Sequence, residues 1–291
     1  MPSAGCDIGQ TEERIFKKYN AIKLPQSFIE DNRGLNDCCC ELLVLGSSST
    51  KSWESDKSSA WIKLSDPSDT FTFQLFKNGV LSNYQPLPNA FVNEPNAWFT
   101  TINWGDVIQS DGVGCYTLKI EYSISGVIGA LDWATYTLKQ YTIANALGTA
   151  RLRAQFDGYQ EKEGINFSAS NIVTDIRFYG FIGNSQPNME IDNIIYGNRE
   201  MKRVIRENLY SYEITTDPLG ECIIKPIVDL FLLSENQLFI SDYNAHNYSY
   251  RYQDLAVIVE ESPEIEYYDF SRKAKLKAKV SDKFKNSRTY Y

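Results

Sequence analysis

Apolar and polar residues alternate with a period of two along much of this chain. Phe71, Phe73 and Leu75 alternate with Thr72 and Gln74. Tyr116, Leu118, Ile120 and Tyr122 alternate with Thr117, Lys119 and Glu121. Ala150, Leu152, Ala154 and Phe156 alternate with Arg151, Arg153 and Gln155. That period places successive side chains on opposite faces of a strand, and it predicts antiparallel sheets packed on one side. Asn78-Gly79 follows the first run and supplies the two positive-φ positions of a type I′ hairpin turn. Residues 41–46, 60–64, 98–108, 133–143, 171–182 and 243–260 also read as strand-like. Residues 221–240 read as two or three apolar strands broken at Pro226 and at 234–237. Polar or Pro- and Asn-rich loops are expected at 47–59 and 83–96. Two short helices are expected, one over 11–20 capped by Thr11 and one on the charged stretch 199–208.

Many short strands with few helices predict an all-β, mostly antiparallel protein. The expected architecture is two β-sandwich or barrel-like domains with short helical additions and an extended C-terminal arm. The boundaries are a lead-in at 1–37, a first β domain at 38–145, a second at 146–270 and a basic arm at 271–291.

Composition sharpens this picture. The 291 residues include 19 Tyr, 15 Phe and 5 Trp, which favour pleated, half-buried surfaces. Trp53, Trp61, Trp98, Trp104 and Trp133 fall mostly in strand patterns, so core packing is their expected role rather than a sugar platform. His246 is the one histidine, which excludes poly-His metal sites and leaves triad chemistry one candidate base. No phosphate loop, nucleophile elbow or calcium loop is present, and Gly112-Val113-Gly114 lacks the rest of a dinucleotide pattern. Glu260, Glu261, Glu264 and Glu266 beside Tyr267 and Tyr268 imitate a glycosidase site, but acidic clusters after a strand are ordinarily solvated. Cys6, Cys38, Cys39, Cys40, Cys115 and Cys222 form no C-x-x-C pair and read as reduced, mostly buried thiols of a protein assembled in a reducing compartment. No apolar run approaches a membrane span, and residues 1–20 lack the apolar core of a signal peptide. The expectations are therefore no enzymatic activity, no cofactor, no metal and no membrane.

Charge is distributed unevenly. The net charge is −8, yet residues 271–291 hold eight of the 29 bases and one of the 37 acids. Lys273, Lys275, Lys277 and Lys279 alternate with Ala274, Leu276, Ala278 and Val280, so an extended chain carries a lysine edge and an apolar edge. Such an arm fits a neighbour with an acidic surface, and an identical copy is one. Lys273, Lys275, Leu276, Lys277, Lys279 and Val280 are accordingly the candidate interface residues.

Three stretches carry a family resemblance: residues 69–80, residues 103–118 from Asn103-Trp104-Gly105 to Leu118, and residues 238–244. In texture they resemble structural virion proteins of crAss-like tailed bacteriophages. The resemblance implies a non-enzymatic subunit of an oligomeric ring, twelve-fold or six-fold, in the tail or head–tail connector. It implies neighbouring tail or portal proteins as partners, non-specific passage of DNA, and a virion location after assembly in the host cytoplasm. An acidic body and a basic arm complement each other head to tail, as a heterologous ring contact requires. The competing reading is a host-receptor or carbohydrate-binding spike or fibre module.

Overall fold

The computed structural model describes residues 41–64, 66, 68–124, 126–156, 161–162, 165–183, 186–195, 201–233, 237–244, 252–268, 273–284 and 286–289. The helix expected at 11–20, Cys6 and Cys38 to Cys40, and His246 lie outside the described residues.

The N-terminal unit is two packed sheets. Strands β1 (Glu41–Gly46), β3 (Thr70–Lys77), β4 (Val80–Leu81), β7 (Gly114–Ile124) and β8 (Val127–Gln140) form one sheet in the order β1-β8-β7-β3-β4. Strands β2 (Lys57–Lys63), β5 (Asn89–Ala90) and β6 (Ala97–Asn103) form the other, in the order β2-β6-β5. All pairs are antiparallel except β1 with β8. The hairpin at Asn78-Gly79 is as the sequence predicts: both residues have positive φ, and Lys77 pairs with Val80. Aromatic side chains join the layers. Trp61 of β2 meets Trp133 of β8 edge-on at 5.3 Å, and Phe71 of β3 meets Trp98 of β6 at 5.0 Å. Trp61, Trp104 and Trp133 are buried, the core role expected of them.

The stretch read as a strand over 98–108 divides at Asn103. Its side chain accepts from Gly105 N at 3.1 Å and starts helix α1 (Trp104–Asp111). Gly112, at φ +77°, closes that helix by donating to Ile108 O.

The second unit is a closed six-stranded barrel. It uses β9 (Thr149–Phe156), β12 (Ile172–Ile182), β14 (Met201–Thr216), β16 (Leu238–Asp242), β17 (Tyr252–Val259) and β19 (Lys273–Asp282). Around the barrel the order is β12-β9-β16-β17-β19-β14 and back to β12, antiparallel throughout. A short helix α2 (Ile143–Ala146) leads from β8 into β9, and short pairs β10 (Glu161–Lys162) and β11 (Ile165–Asn166) follow β9. Strand β13 (Gln186–Ile195) pairs with β14, β15 (Leu219–Gly220) and β18 (Glu264–Tyr267) pair with β19, and β20 (Asn286–Thr289) pairs with β14.

Two stretches fold differently from the sequence expectation. Residues 221–233 are helix α3 (Glu221–Leu233), with Pro226 inside it, rather than broken strands. Ile224, Ile227, Leu230 and Phe231 recur at helical spacing and are buried. The helix packs against β9 on one side and against β19 and β15 on the other. Residues 201–208, part of the stretch read as a surface helix, lie in strand β14, flanked by β13 and β20. Ladder partners on both sides outweigh a weak helical preference.

The C-terminal stretch is extended, with the two edges the alternation predicts, but it does not leave its subunit. Ala274, Leu276, Ala278 and Val280 are buried in the barrel's own core. Residues 273–282 pair with β14, β15, β17 and β18 of the same chain.

Candidate functional site: a buried arginine–aspartate network between the β units

Strands β9 and β12 pair so that Arg151 stands opposite Arg177 and Arg153 opposite Asp175. The apolar neighbours of these residues point into the barrel, so the charged row points outward. The outward row is nevertheless buried, because the turn before β2 and β2 itself lie over it. Two guanidiniums facing each other across a ladder repel unless an anion joins them.

Asp56 is that anion. It follows the 3-10 turn Ser52–Glu54 of the N-terminal unit and is 0% exposed. Its backbone N–H donates to Leu45 O at 2.9 Å, which locks it onto β1. Its carboxylate accepts from Arg177 Nε and Nη2, both at 2.8 Å, as a two-bond fork. It also accepts from Leu45 N at 2.8 Å and from Arg151 Nη1 at 3.4 Å. Burial alone would raise its pKa. The Arg177 and Arg151 charges and these hydrogen bonds outweigh that and hold the carboxyl below its ordinary value.

A second fork joins Arg153 to Asp175, Nε to Oδ1 at 2.7 Å and Nη2 to Oδ2 at 2.8 Å. Asp175 also accepts from Lys57 N at 2.7 Å, and Arg153 donates to Ser55 O at 3.1 Å. On the far side Arg151 and Arg153 both reach Asp254 of β17. Arg177 packs over the Tyr243 ring at 4.2 Å, and the Tyr243 hydroxyl donates to Trp53 O. Burial would lower the pKa of all three arginines, but the facing aspartates raise it instead. Three guanidiniums thus meet three carboxylates drawn from β9, β12, β17 and the 3-10 turn region. The arrangement ties the N-terminal sheets to the barrel wall. Every carboxylate in it accepts from a guanidinium. Among the described residues no cluster of His, Cys, Asp and Glu could hold a metal ion.

The six residues expected at an interface lie elsewhere. Leu276 and Val280 are in the barrel core. Lys273, Lys277 and Lys279 lie exposed on the outer wall, and Lys275 is half-buried there. Three of these four lysines have acidic residues of the same chain beside them. Glu264 pairs with Lys277 and Glu266 with Lys275 in the β18–β19 register. Lys279 Nζ stands 3.2 Å from Glu260 and 3.5 Å from Glu261. Part of the charge complementarity expected between copies is met within one copy. Cys115, read as one of the mostly buried thiols, is an exposed free thiol. The sequence reading missed Asp56, Asp175, Asp254 and all three arginines as a group. The available signal was a pair of arginines two residues apart in a strand whose other face is wholly apolar.

No helix among the described residues is long and apolar enough to cross a membrane. No family model matches the chain. No curated protein matches it either. Among solved structures, the crystal structure of Dpr2 Ig1-Ig2 in complex with DIP-Theta Ig1-Ig3 is similar over 90% of this chain and 89% of that one. It is 8% identical with a TM-score of 0.20, a likeness too slight to inform fold or function.

Proposed function

We propose that this chain is a structural protein of a tailed bacteriophage virion, one subunit of an oligomeric ring in the tail or head–tail connector. The observation that carries the structural role is the buried network. Asp56 of the N-terminal unit binds Arg151 and Arg177 of the barrel, while Asp175 and Asp254 bind the barrel's own arginines, so these charges are spent on holding the two β units together. The tailed-phage setting rests on the resemblance of residues 69–80, 103–118 and 238–244. A net charge of −8 suits a wall past which DNA slides without sticking. The test is localisation. Antibodies against this chain should decorate the neck or tail of purified particles in negative-stain micrographs. Particles that lack the chain by mass spectrometry would sink the proposal, and micromolar binding on a glycan array would favour a receptor-binding module.

A further inference from the structure

The outward face of β12 is covered over only part of its length. Asp175 and Arg177 lie buried under the N-terminal unit, but the next two outward residues, Tyr179 and Phe181, are 46% and 49% exposed. Alternate residues of one strand share a face, so the two rings form a ridge. The β9–β12 ladder sets Thr149 opposite Tyr179, and Gly180 N donates to Gly148 O, so Leu147 falls opposite Phe181. Leu147 is 54% exposed, and Ile143, whose carbonyl accepts from Leu147 N one helical turn earlier, is 67% exposed. On the other flank Thr215 of β14 stands opposite Phe181. Asp217 N donates to Tyr179 O and Gly183 N to Glu213 O, which continues that ladder with Asp217 beside Tyr179 and Glu213 beyond Phe181. Both acids are exposed.

Ile143, Leu147, Tyr179 and Phe181 thus form one exposed apolar patch, aliphatic on the β9 flank, aromatic along its middle and bordered by acids on the β14 flank. Contiguous apolar patches with a polar border mark interaction sites, and aromatic side chains concentrate at interface centres. The bases nearest the acidic border are lysines of β19, and they already have acids. Glu266 faces Lys275, Glu264 faces Lys277, and Lys279 Nζ stands beside Glu260 and Glu261. The charge of Glu213 and Asp217 is therefore in excess on this wall.

We infer that this patch docks a basic amphipathic helix of a different protein chain. The helix's aliphatic stripe covers Ile143, Leu147, Tyr179 and Phe181, and a lysine or arginine stripe beside it meets Glu213 and Asp217. A helix fits because its stripes lie side by side on one surface, whereas an extended strand puts alternate residues on opposite faces. A lipid surface or a nucleic acid calls for bases around the apolar centre, and acids stand there instead. The inference goes beyond the proposed ring role and does not depend on it.

The test is fluorescence anisotropy of the full chain with a dye-labelled amphipathic helical peptide of leucine, alanine and lysine, and with the same peptide carrying glutamate for lysine. The lysine peptide should bind about tenfold more tightly than the glutamate peptide, and Phe181→Ser should weaken it by about tenfold. Glu213→Lys/Asp217→Lys should shift the preference to the glutamate peptide. Leu87→Ser and Asp66→Lys, exposed elsewhere on the N-terminal unit, should leave binding unchanged. Ile143→Ser, in a separate element, repeats the apolar test if Phe181→Ser lowers the melting temperature. No binding of the lysine peptide would overturn the docking site, as would binding that ignores the apolar and charge-reversing variants or that the two distant variants reduce equally. Self-association of the wild-type chain that Phe181→Ser abolishes would also overturn it, because the patch would then belong to a second copy. Particle labelling judges the ring role separately.

Discussion

Replacing Asp56 by Asn keeps its shape and removes its charge. The variant leaves Arg151 and Arg177 facing each other across β9 and β12 with their shared anion gone. Removing one partner of a buried, hydrogen-bonded ion pair costs about 3–5 kcal/mol, because the remaining charge stays desolvated. Asp56 and Arg177 are both 0% exposed at the side chain, so solvent screening gives little relief. At about 2–4 °C per kcal/mol, the melting temperature should fall by roughly 6–20 °C. The pH dependence carries a sign. The folded-state pKa of Asp56 lies below its ordinary 3.8, so its contribution is fully present above that value and is lost as pH falls below it. The gap between wild type and variant should therefore be widest near neutrality and narrow on acidification below pH ~3.8. Differential scanning fluorimetry, with guanidinium unfolding followed by tryptophan emission, measures both. A drop smaller than about 2 °C near neutral pH, or a gap that does not close in acid, would refute the assignment of Asp56 as the shared counter-ion.

Two further outcomes test the placement of the C-terminal strand. Truncation after residue 272 removes β19 and its ladders to β14, β15, β17 and β18, so the product should be insoluble or rapidly proteolysed; a folded, cooperative product would contradict the barrel. Leu276→Ala empties a fully buried position and should cost about 2–5 kcal/mol in chemical denaturation. The exposed neighbour variant Lys277→Ala should stay within about 0.5 kcal/mol of wild type, and equal effects at the two positions would show that the strand faces are misassigned.

The alternation over 273–280 was correctly legible as an extended chain with one lysine edge and one apolar edge. Its destination was not, because alternation specifies a face and says nothing of which sheet covers it. The same limit explains Arg151 and Arg153. Their alternation with Ala150, Leu152 and Ala154 marks the charged face as outward, and an outward face is normally wet. The turn at Ser55 and Asp56 and strand β2 after it, about a hundred residues earlier in the chain, make it buried. Helix α3 was hidden by Pro226, which reads as a breaker unless the apolar positions on both sides are counted at helical spacing. Residues 201–208 were misread for the opposite reason, since a charged stretch looks like a solvated helix until strands are found on both sides.

What the sequence determined by itself was the class of structure: period-two runs, the Asn78-Gly79 turn and an aromatic-rich core leave little besides antiparallel sheets. What only the tertiary structure decided was the company each face keeps. It closed the barrel through β19, set acids of the same chain beside Lys275, Lys277 and Lys279 and delivered Asp56 to a pair of facing arginines. Local pattern follows from backbone geometry over a few residues, whereas the pairing of charges and edges depends on contacts between residues distant along the chain.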